Sequence, residues 1–324
     1  MYKASELIDL INSHLSGLSF DRFPKELYAP IEYVLSMGGK RIRPVLMMLA
    51  YNLYQADVTK ILNQATGIEV YHNYTLLHDD LMDRADMRRG KATVHKVWDA
   101  NIAILSGDAM LVLAEQMMAD CESIHYKEII NLFNLTALEI CEGQQMDMNF
   151  EQRNDVSENE YIEMIRLKTA VLLSTALKIG ALLGNASCED AGNLYQFGIN
   201  IGLAFQLQDD LLDVYGDSSI FGKNIGGDIL CNKKTYLLIK ALNIASDKEK
   251  EELNGWLEAK SCQPQEKISG VTSLFNRLGV RDFCEKKMQN YYTEAFTYIN
   301  KVGVAEELKC ELKGFVEHLI GRVS

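Results

Sequence analysis

Prolines set the first constraint on how this chain can fold. Only four occur, Pro24, Pro30, Pro44 and Pro264, so no proline interrupts a helix anywhere between Pro44 and Pro264. Apolar residues recur there with the 3.6-residue period, and no alternation is long enough to argue for a strand. The pattern predicts helices over 4–15, 58–83, 94–118, 126–150 and 190–215, with further helices after 235 divided by polar turns near Asp247, Pro264, Gly279 and Gly303. Gly216–Asn232 is the longest irregular segment. No break in composition separates a second domain. The expectation is an all-α fold, one domain over 1–324.

Within these helices lies a turn rich in carboxylates, His78-Asp79-Asp80-Leu81-Met82-Asp83. On a helix, Asp79 and Asp83 stand one above the other, about 5–6 Å apart at Cβ. Asp80 is rotated about 100° away. Like charges this close destabilise a helix unless a cation neutralises them. Oxygen ligands without His or Cys, with room left for water or phosphate, point to Mg²⁺, with Mn²⁺ as substitute. A cationic turn follows, Arg88-Arg89-Gly90-Lys91. Metal ligands beside cations describe a diphosphate site. One such motif is weak evidence, but Asp209-Asp210-Leu211-Leu212-Asp213 repeats it on a second apolar helix, again followed by a Gly- and Lys-rich loop.

Composition narrows the classes. The chain is 48% hydrophobic, ample for a core, and its net charge of −12 argues against nucleic acid as partner. Seven cysteines, an odd number without any CxxC pair, fit a reducing cytoplasmic compartment better than a disulfide framework. The N-terminal residues are amphipathic rather than signal-like, and no uninterrupted apolar run reaches the ~18 residues of a membrane span. Stable membrane insertion is not expected.

Other polar positions need a reading. Gly38-Gly39 allows close backbone approach, and Lys40, Arg41 and Arg43 follow it at the start of an apolar helix. Gly107, inside a helix, costs about 1 kcal/mol against alanine, which argues for close helix packing there. Gln144 and Asp147 share a helix face, for a structural hydrogen bond or a substrate contact. Ser157-x-x-Glu160 is a capping box opening the helix that carries Lys168-Thr169. With acidic motifs in the same chain, Lys168 is read as aimed at a phosphate.

Taken together and in order, these residues resemble the trans-isoprenyl diphosphate synthases, the polyprenyl synthetases. The resemblance runs from Gly38-Gly39-Lys40-Arg41-Ile42-Arg43-Pro44 through His72, the first acidic motif with Arg88-Arg89-Gly90, Gly107-Asp108, Gly143-Gln144, Lys168-Thr169 and the second motif to Phe221-Gly222-Lys223, Asp228 and Lys233. It implies a bundle of long helices around a central cavity, usually a homodimer. The implied reaction is the Mg²⁺-dependent, head-to-tail condensation of isopentenyl diphosphate with an allylic diphosphate (dimethylallyl, geranyl or farnesyl). Metal held by Asp79, Asp83 and Asp209 would neutralise the leaving diphosphate, while Asp80, Asp210 and Asp213 act at one remove or through water. Arg88, Lys168 and Lys223 would hold the same diphosphate. The resemblance assigns Lys40, Arg43, His72 and Arg89 to isopentenyl diphosphate, Thr169 and Gln206 to the neighbourhood of the allylic cation, and Lys233 to the first diphosphate. No nucleophilic Ser or Cys is required, because the alkene attacks and the released diphosphate can accept the final proton.

Product length depends on what closes the cavity below the first motif. Tyr74, five residues before Asp79, and Thr75 beside it are the expected floor. A bulky aromatic there resembles the short-chain synthases, and implies a C20 or C15 product rather than a longer polyprenyl chain. A class I terpene cyclase would not need the Gly-Gly-Lys-Arg-x-Arg segment. A head-to-head squalene or phytoene synthase would not need isopentenyl diphosphate. A non-catalytic subunit would tend to lose the aspartates this chain keeps.

Overall fold

The computed structural model describes residues 1–216, 225–259 and 262–320. The first ten helices are α1 (Ala4–Gly17), α2 (Lys25–Leu35), α3 (Ile42–Asn52), α4 (Leu62–Met82), α5 (Val94–Val97), α6 (Ala100–Ala119), α7 (Tyr126–Glu151), α8 (Glu158–Ile165), α9 (Val171–Leu183) and α10 (Cys188–Tyr215). Further helices cover Gly227–Leu230, Tyr236–Ile244, Asp247–Glu258, Pro264–Leu278, Val280–Lys301 and Glu306–Ile320. Among the described residues the only strands are β1 (Met87–Arg88) and β2 (Lys91–Ala92), paired antiparallel. The all-α expectation holds, and the long helices fall close to their predicted ranges except 94–118, which is broken at Trp98–Asp99, where Asp99 caps α6.

The chain forms two compact units, each assembled from separate segments. One comprises Met1–Phe133, Ala176–Gly192 and Gly303–Leu312; the other comprises Asn134–Thr175, Asn193–Val302 and Lys313–Ser324. Four of the five changeovers fall inside helices and the fifth in the short turn at Val302–Gly303, so composition carries no trace of them.

In the first unit α4 is the central helix. Residues 64–71 are buried on every side, which explains its weak amphipathic pattern. Its polar members are satisfied in place: Thr66 Oγ1 meets His14 Nδ1 at 2.7 Å and donates to the Leu62 carbonyl at 2.8 Å. Two glycines bring α4 and α6 together. A Cβ on Gly67 would come within 2.9 Å of the Met117 Cβ, and one on Gly107 within 2.2 Å of His78 Nε2. Gly107 is thus a packing glycine, as its helical position suggested.

Among the described residues α6 is the one helix long and apolar enough, by length and composition, to cross a membrane. Asp108 and Glu115 interrupt its apolar run, which is why no uninterrupted span shows in the sequence, yet its average hydropathy passes. Its Ala103, Met110, Ala114 and Met118 are fully buried, whereas Ile104, Leu105 and Val112 are exposed.

In the second unit α8 opens with the predicted Ser157–Glu160 capping box. It runs into a π-helical turn, Arg166–Ala170, that carries Lys168 and Thr169. Two glycines admit that turn. A Cβ on Gly143 would lie 2.5 Å from the Lys168 nitrogen, and one on Gly202 would lie 2.4 Å from the Ala170 Cα. Local π geometry inside α-helices often marks functional positions.

Candidate active site

The basic segment of the first unit is built from unusual backbone. Gly38 and Gly39 have φ of 77° and 148°, and Arg41 is left-handed at φ 51°. A left-handed arginine costs about 1–2 kcal/mol and needs support from its side chain. That support is a buried ion pair: Arg41 Nη1 lies 2.7 Å from Glu69 Oε1, with Arg41 4% and Glu69 2% exposed. Arg41 Nε donates to Asn12 Oδ1 at 3.0 Å. Asn73 Nδ2 donates to the same Glu69 oxygen at 3.1 Å.

Two residues on, Arg43 Nη1 lies 3.0 Å from His72 Nε2. Burial holds the His72 imidazole well below its usual value, and Arg43, Arg89, Arg88 and Arg41 push it the same way. A neutral His72 accepts the Arg43 hydrogen bond at Nε2. Burial also lowers the Arg43 guanidinium, to about 10, with Glu69 opposing and Arg89 reinforcing the shift. Arg89 closes the group by donating to the Gly38 carbonyl. A Cβ on Gly39 would meet the Arg89 guanidinium at 2.9 Å, so the Gly-Gly pair gives this side chain its place. Arg43, His72 and Arg89 are therefore brought together, and Lys40 is exposed at the head of the same segment.

The first acidic motif sits at the C-terminal end of α4. Asp83 is the C-cap residue and its N–H bonds to the Asp79 carbonyl at 2.8 Å. Arg84 takes the left-handed position at φ 53°, with Arg84 N–H to Leu81 O at 3.2 Å and Ala85 N–H to Asp80 O at 2.9 Å. This is a Schellman ending with arginine where glycine is usual. It leaves carboxylates at the negative end of the helix, which is unfavourable unless a cation is present.

The three carboxylates then divide. Asp83 is exposed and Asp79 half-exposed, whereas Asp80 is 5% exposed and turned inward. Arg88 Nε donates to both Asp80 oxygens, at 2.9 and 3.2 Å, and Nη2 reaches Oδ1 at 2.5 Å. Burial raises the Asp80 carboxyl while Arg88 opposes that shift. Arg89 and Gly90, at φ 50° and 75°, form the reversal between β1 and β2, the positive-φ pair of a type I′ turn. The cationic turn is the reversal of a hairpin that folds Arg88 back onto Asp80.

The second motif, near the end of α10, divides in the same way. Asp209 is exposed and Asp210 is 3% exposed. Asp210 Oδ2 accepts from the Tyr161 hydroxyl and from the Tyr236 N–H at 3.2 Å, and Gln206 Nε2 donates to Oδ1 at 3.3 Å. Burial lifts its carboxyl to about 7, Tyr161 opposes that and Asp228 adds to it. Asp213 Oδ2 accepts from the Asp228 N–H at 3.0 Å, tying the motif to the start of helix Gly227–Leu230. Lys233 lies 3.9 Å from Asp228. Lys168 Nζ is 2.7 Å from Asp147 Oδ2, which gives Asp147 its partner, and Thr169 Oγ1 donates to Gln206 Oε1 at 3.1 Å. Lys223, Phe221 and Gly222 lie outside the described residues.

Among the described residues no three His, Cys, Asp or Glu side chains close into a complete metal cage. Mg²⁺ keeps several waters and binds through one or two carboxylates plus substrate phosphate. The outward Asp79 and Asp83 are such a pair, with Asp209 the outward carboxylate of the second motif.

Below the first motif the Tyr74 ring lies 4.8 Å from His78 and 5.4 Å from Tyr71, which in turn meets Phe133 at 5.2 Å. Thr75 donates to the His72 carbonyl at 2.8 Å. Glu69 and Tyr161, which hold the site residues from beneath, were not singled out in the sequence. A signal existed for Glu69, a lone charge inside Ala65-Thr66-Gly67-Ile68-Glu69-Val70-Tyr71 three residues before His72.

Comparison with known proteins fits this arrangement. The polyprenyl synthetase family profile matches residues 24–274. The short chain isoprenyl diphosphate synthase of Methanothermobacter thermautotrophicus is 37% identical over 283 residues, 87% of this chain and 85% of that one. The geranylgeranyl diphosphate synthase of Sulfolobus acidocaldarius is 34% identical over 97% of this chain and 94% of its own. A crystal structure of a geranylgeranyl pyrophosphate synthase superposes with a TM-score of 0.95 at 40% identity, covering 100% of both chains. The fold is that of the all-α isoprenoid synthases, and the chain belongs to the polyprenyl synthetase family.

Proposed function

We propose that this protein is a prenyltransferase that condenses isopentenyl diphosphate head-to-tail, in trans, with an allylic diphosphate and releases diphosphate. The observation that carries this is the clustered Arg43–His72–Arg89 group on the same helix system as the first acidic motif. Cations packed this closely, with Glu69 as their buried counter-charge, form a site for an anion. A class I cyclase would have no use for it. The outward carboxylates Asp79, Asp83 and Asp209 would hold Mg²⁺, and Mn²⁺ would substitute. The bound metal supplies positive charge to the leaving diphosphate as its C–O bond breaks. Arg88 and Lys168, and Lys223 and Lys233 after the second motif, are assigned to that same diphosphate. Thr169 and Gln206, already bonded to each other, present oxygen dipoles suited to the allylic cation.

The product is proposed to be C20, geranylgeranyl diphosphate, with C15 as the shorter possibility. Its support is the half-buried Tyr74 below the motif and the geranylgeranyl names of the relatives above. The exposed Ile104, Leu105 and Val112 of α6 support a homodimer. Seven free cysteines support a reducing, cytoplasmic setting.

Purified protein with Mg²⁺, isopentenyl diphosphate and each of dimethylallyl, geranyl and farnesyl diphosphate is expected to give C20 product. Turnover of allylic diphosphate alone would instead make it a cyclase.

A further inference from the structure

Beneath the basic group lies a buried ion pair to which no substrate contact is assigned. Arg41 and Glu69 are almost inaccessible, so neither can touch a substrate. Yet the pair ties α3 and α4, which carry Arg43 and His72 of the anion site, to α1. Arg41 stands at the head of α3, two residues before Arg43; Glu69 is on α4, three residues before His72; Asn12, from α1, completes the Arg41 contacts. Arg41 also donates to the Leu35 carbonyl at 3.4 Å, in the last turn of α2 before the Gly-Gly pair. With its backbone left-handed, Arg41 uses its side-chain contacts to help fix how the chain turns from Gly39 into α3.

We propose that Arg41, Glu69 and Asn12 form a positioning clamp that sets Arg43 against His72 for the diphosphate of isopentenyl diphosphate. The inference rests on the assignment of that subsite above. Its sign separates it from a simple charge effect. If Glu69 acted only as a negative charge under the cations, neutralising it would make the site more positive and tighten anion binding. If it positions Arg43, neutralising it loosens the turn and weakens binding. Residues that only order a binding group show their effect in the KM of the ligand bound there, whereas general loss of fold reduces active enzyme and lowers kcat for both substrates.

The test is steady-state kinetics of the full chain with Mg²⁺, varying each substrate at saturation of the other, for wild type, Glu69→Gln and Asn12→Ala. Glu69→Gln is expected to raise the KM for isopentenyl diphosphate by at least about tenfold. The allylic KM and kcat are expected to stay within about threefold of wild type. An unchanged or lowered isopentenyl diphosphate KM, or an equal loss on both substrates in folded protein, overturns the clamp. Should Glu69→Gln fail to fold, Asn12→Ala decides, since Asn12 is exposed. A rise of about two- to fivefold confined to isopentenyl diphosphate supports the clamp, and no change overturns it. Wild-type protein that turns over no isopentenyl diphosphate would refute the assigned reaction instead, so the two failures are distinct.

Discussion

Arg88 grips Asp80 through Nε and Nη2, and the middle carboxylate of the first acidic motif is spent on holding the hairpin rather than facing outward. The three aspartates of one short motif thereby acquire different duties, a distinction that spacing alone does not make.

From this follows a split between activity and stability. Asp79→Asn removes an outward carboxylate from the negative end of α4, so it is expected to abolish turnover without lowering the melting temperature. Asp80→Asn breaks buried, charge-assisted bonds worth about 1.5–3 kcal/mol and is expected to lower the melting temperature by several degrees. Thermal melts beside activity assays on both variants check this. A destabilised Asp79→Asn with a stable Asp80→Asn would reverse the assignment.

Metal should appear as stability before it appears as rate. A ligand that binds only the folded state stabilises it by mass action. Millimolar Mg²⁺ is therefore expected to raise the melting temperature of wild type, and not that of the Asp79→Asn, Asp83→Asn double variant. Excess chelator should stop turnover. Full activity in chelator would remove metal from the reaction.

The Arg43–His72 contact predicts a pH dependence. An unfolded His72 takes up a proton near pH 6.5, whereas the folded one, buried and surrounded by arginines, does so only well below that. Across this window the unfolded state binds more protons, so the contribution is present above about 6.5 and is lost as pH falls. Melting temperatures of wild type should drop between about pH 7.5 and 5.5 more steeply than those of His72→Gln. Asp210, lifted to about 7, works in the opposite direction in both proteins and cancels in the comparison. Parallel curves would show that His72 is not held neutral.

How much of this the sequence could reveal depended on the range of the interactions. Helix positions, both acidic motifs and the Ser157 capping box were readable because period, spacing and capping are local. Gly107 was readable as a packing glycine, though not that His78 is what it admits. The π turn at Arg166–Ala170 was not, since no residue type demands it; Gly143 and Gly202 on other helices make room for it. Nor was the inward turn of Asp80 and Asp210 resolved into partners. Those partners are Arg88 across a hairpin, Tyr161 on another helix and the Tyr236 N–H. The two units left no mark in composition because the chain changes unit within helices everywhere except the turn at Val302–Gly303.

Gly107→Ala tests the α4–α6 contact on its own. The added methyl would fall 2.2 Å from His78 Nε2, and that ring is already packed edge-to-face against Tyr74. Overpacking of this kind costs about 1–3 kcal/mol. A lower melting temperature with an unchanged Mg²⁺ requirement is expected. A neutral variant would mean that His78 swings away freely.

Tyr74 is where side-chain packing bears most directly on product. It lies about 7.5 Å along α4 from Asp79, and its side chain leans further toward the helix N-terminus. Around the helix it is about 140° from Asp79, while Thr75 is only about 40° away. A chain hanging from the motif passes Thr75 first and meets the Tyr74 ring only where that ring reaches round the helix. The ring's half-exposure leaves it part of a face to do so, and its contacts with Tyr71 and His78 keep it from swinging aside. Tyr74→Ala is therefore expected to lengthen the product, with growth stopping again near Tyr71, which is 1% exposed and locked against Phe133. The lost aromatic contacts cost about 0.5–1.5 kcal/mol each. Thr75→Phe, on the motif's own face, is expected to shorten the product. Chromatography of the products with melts on both variants decides between a floor and a packing residue. A less stable Tyr74→Ala with an unchanged product, beside a Thr75→Phe that shortens it, would move the floor to Thr75.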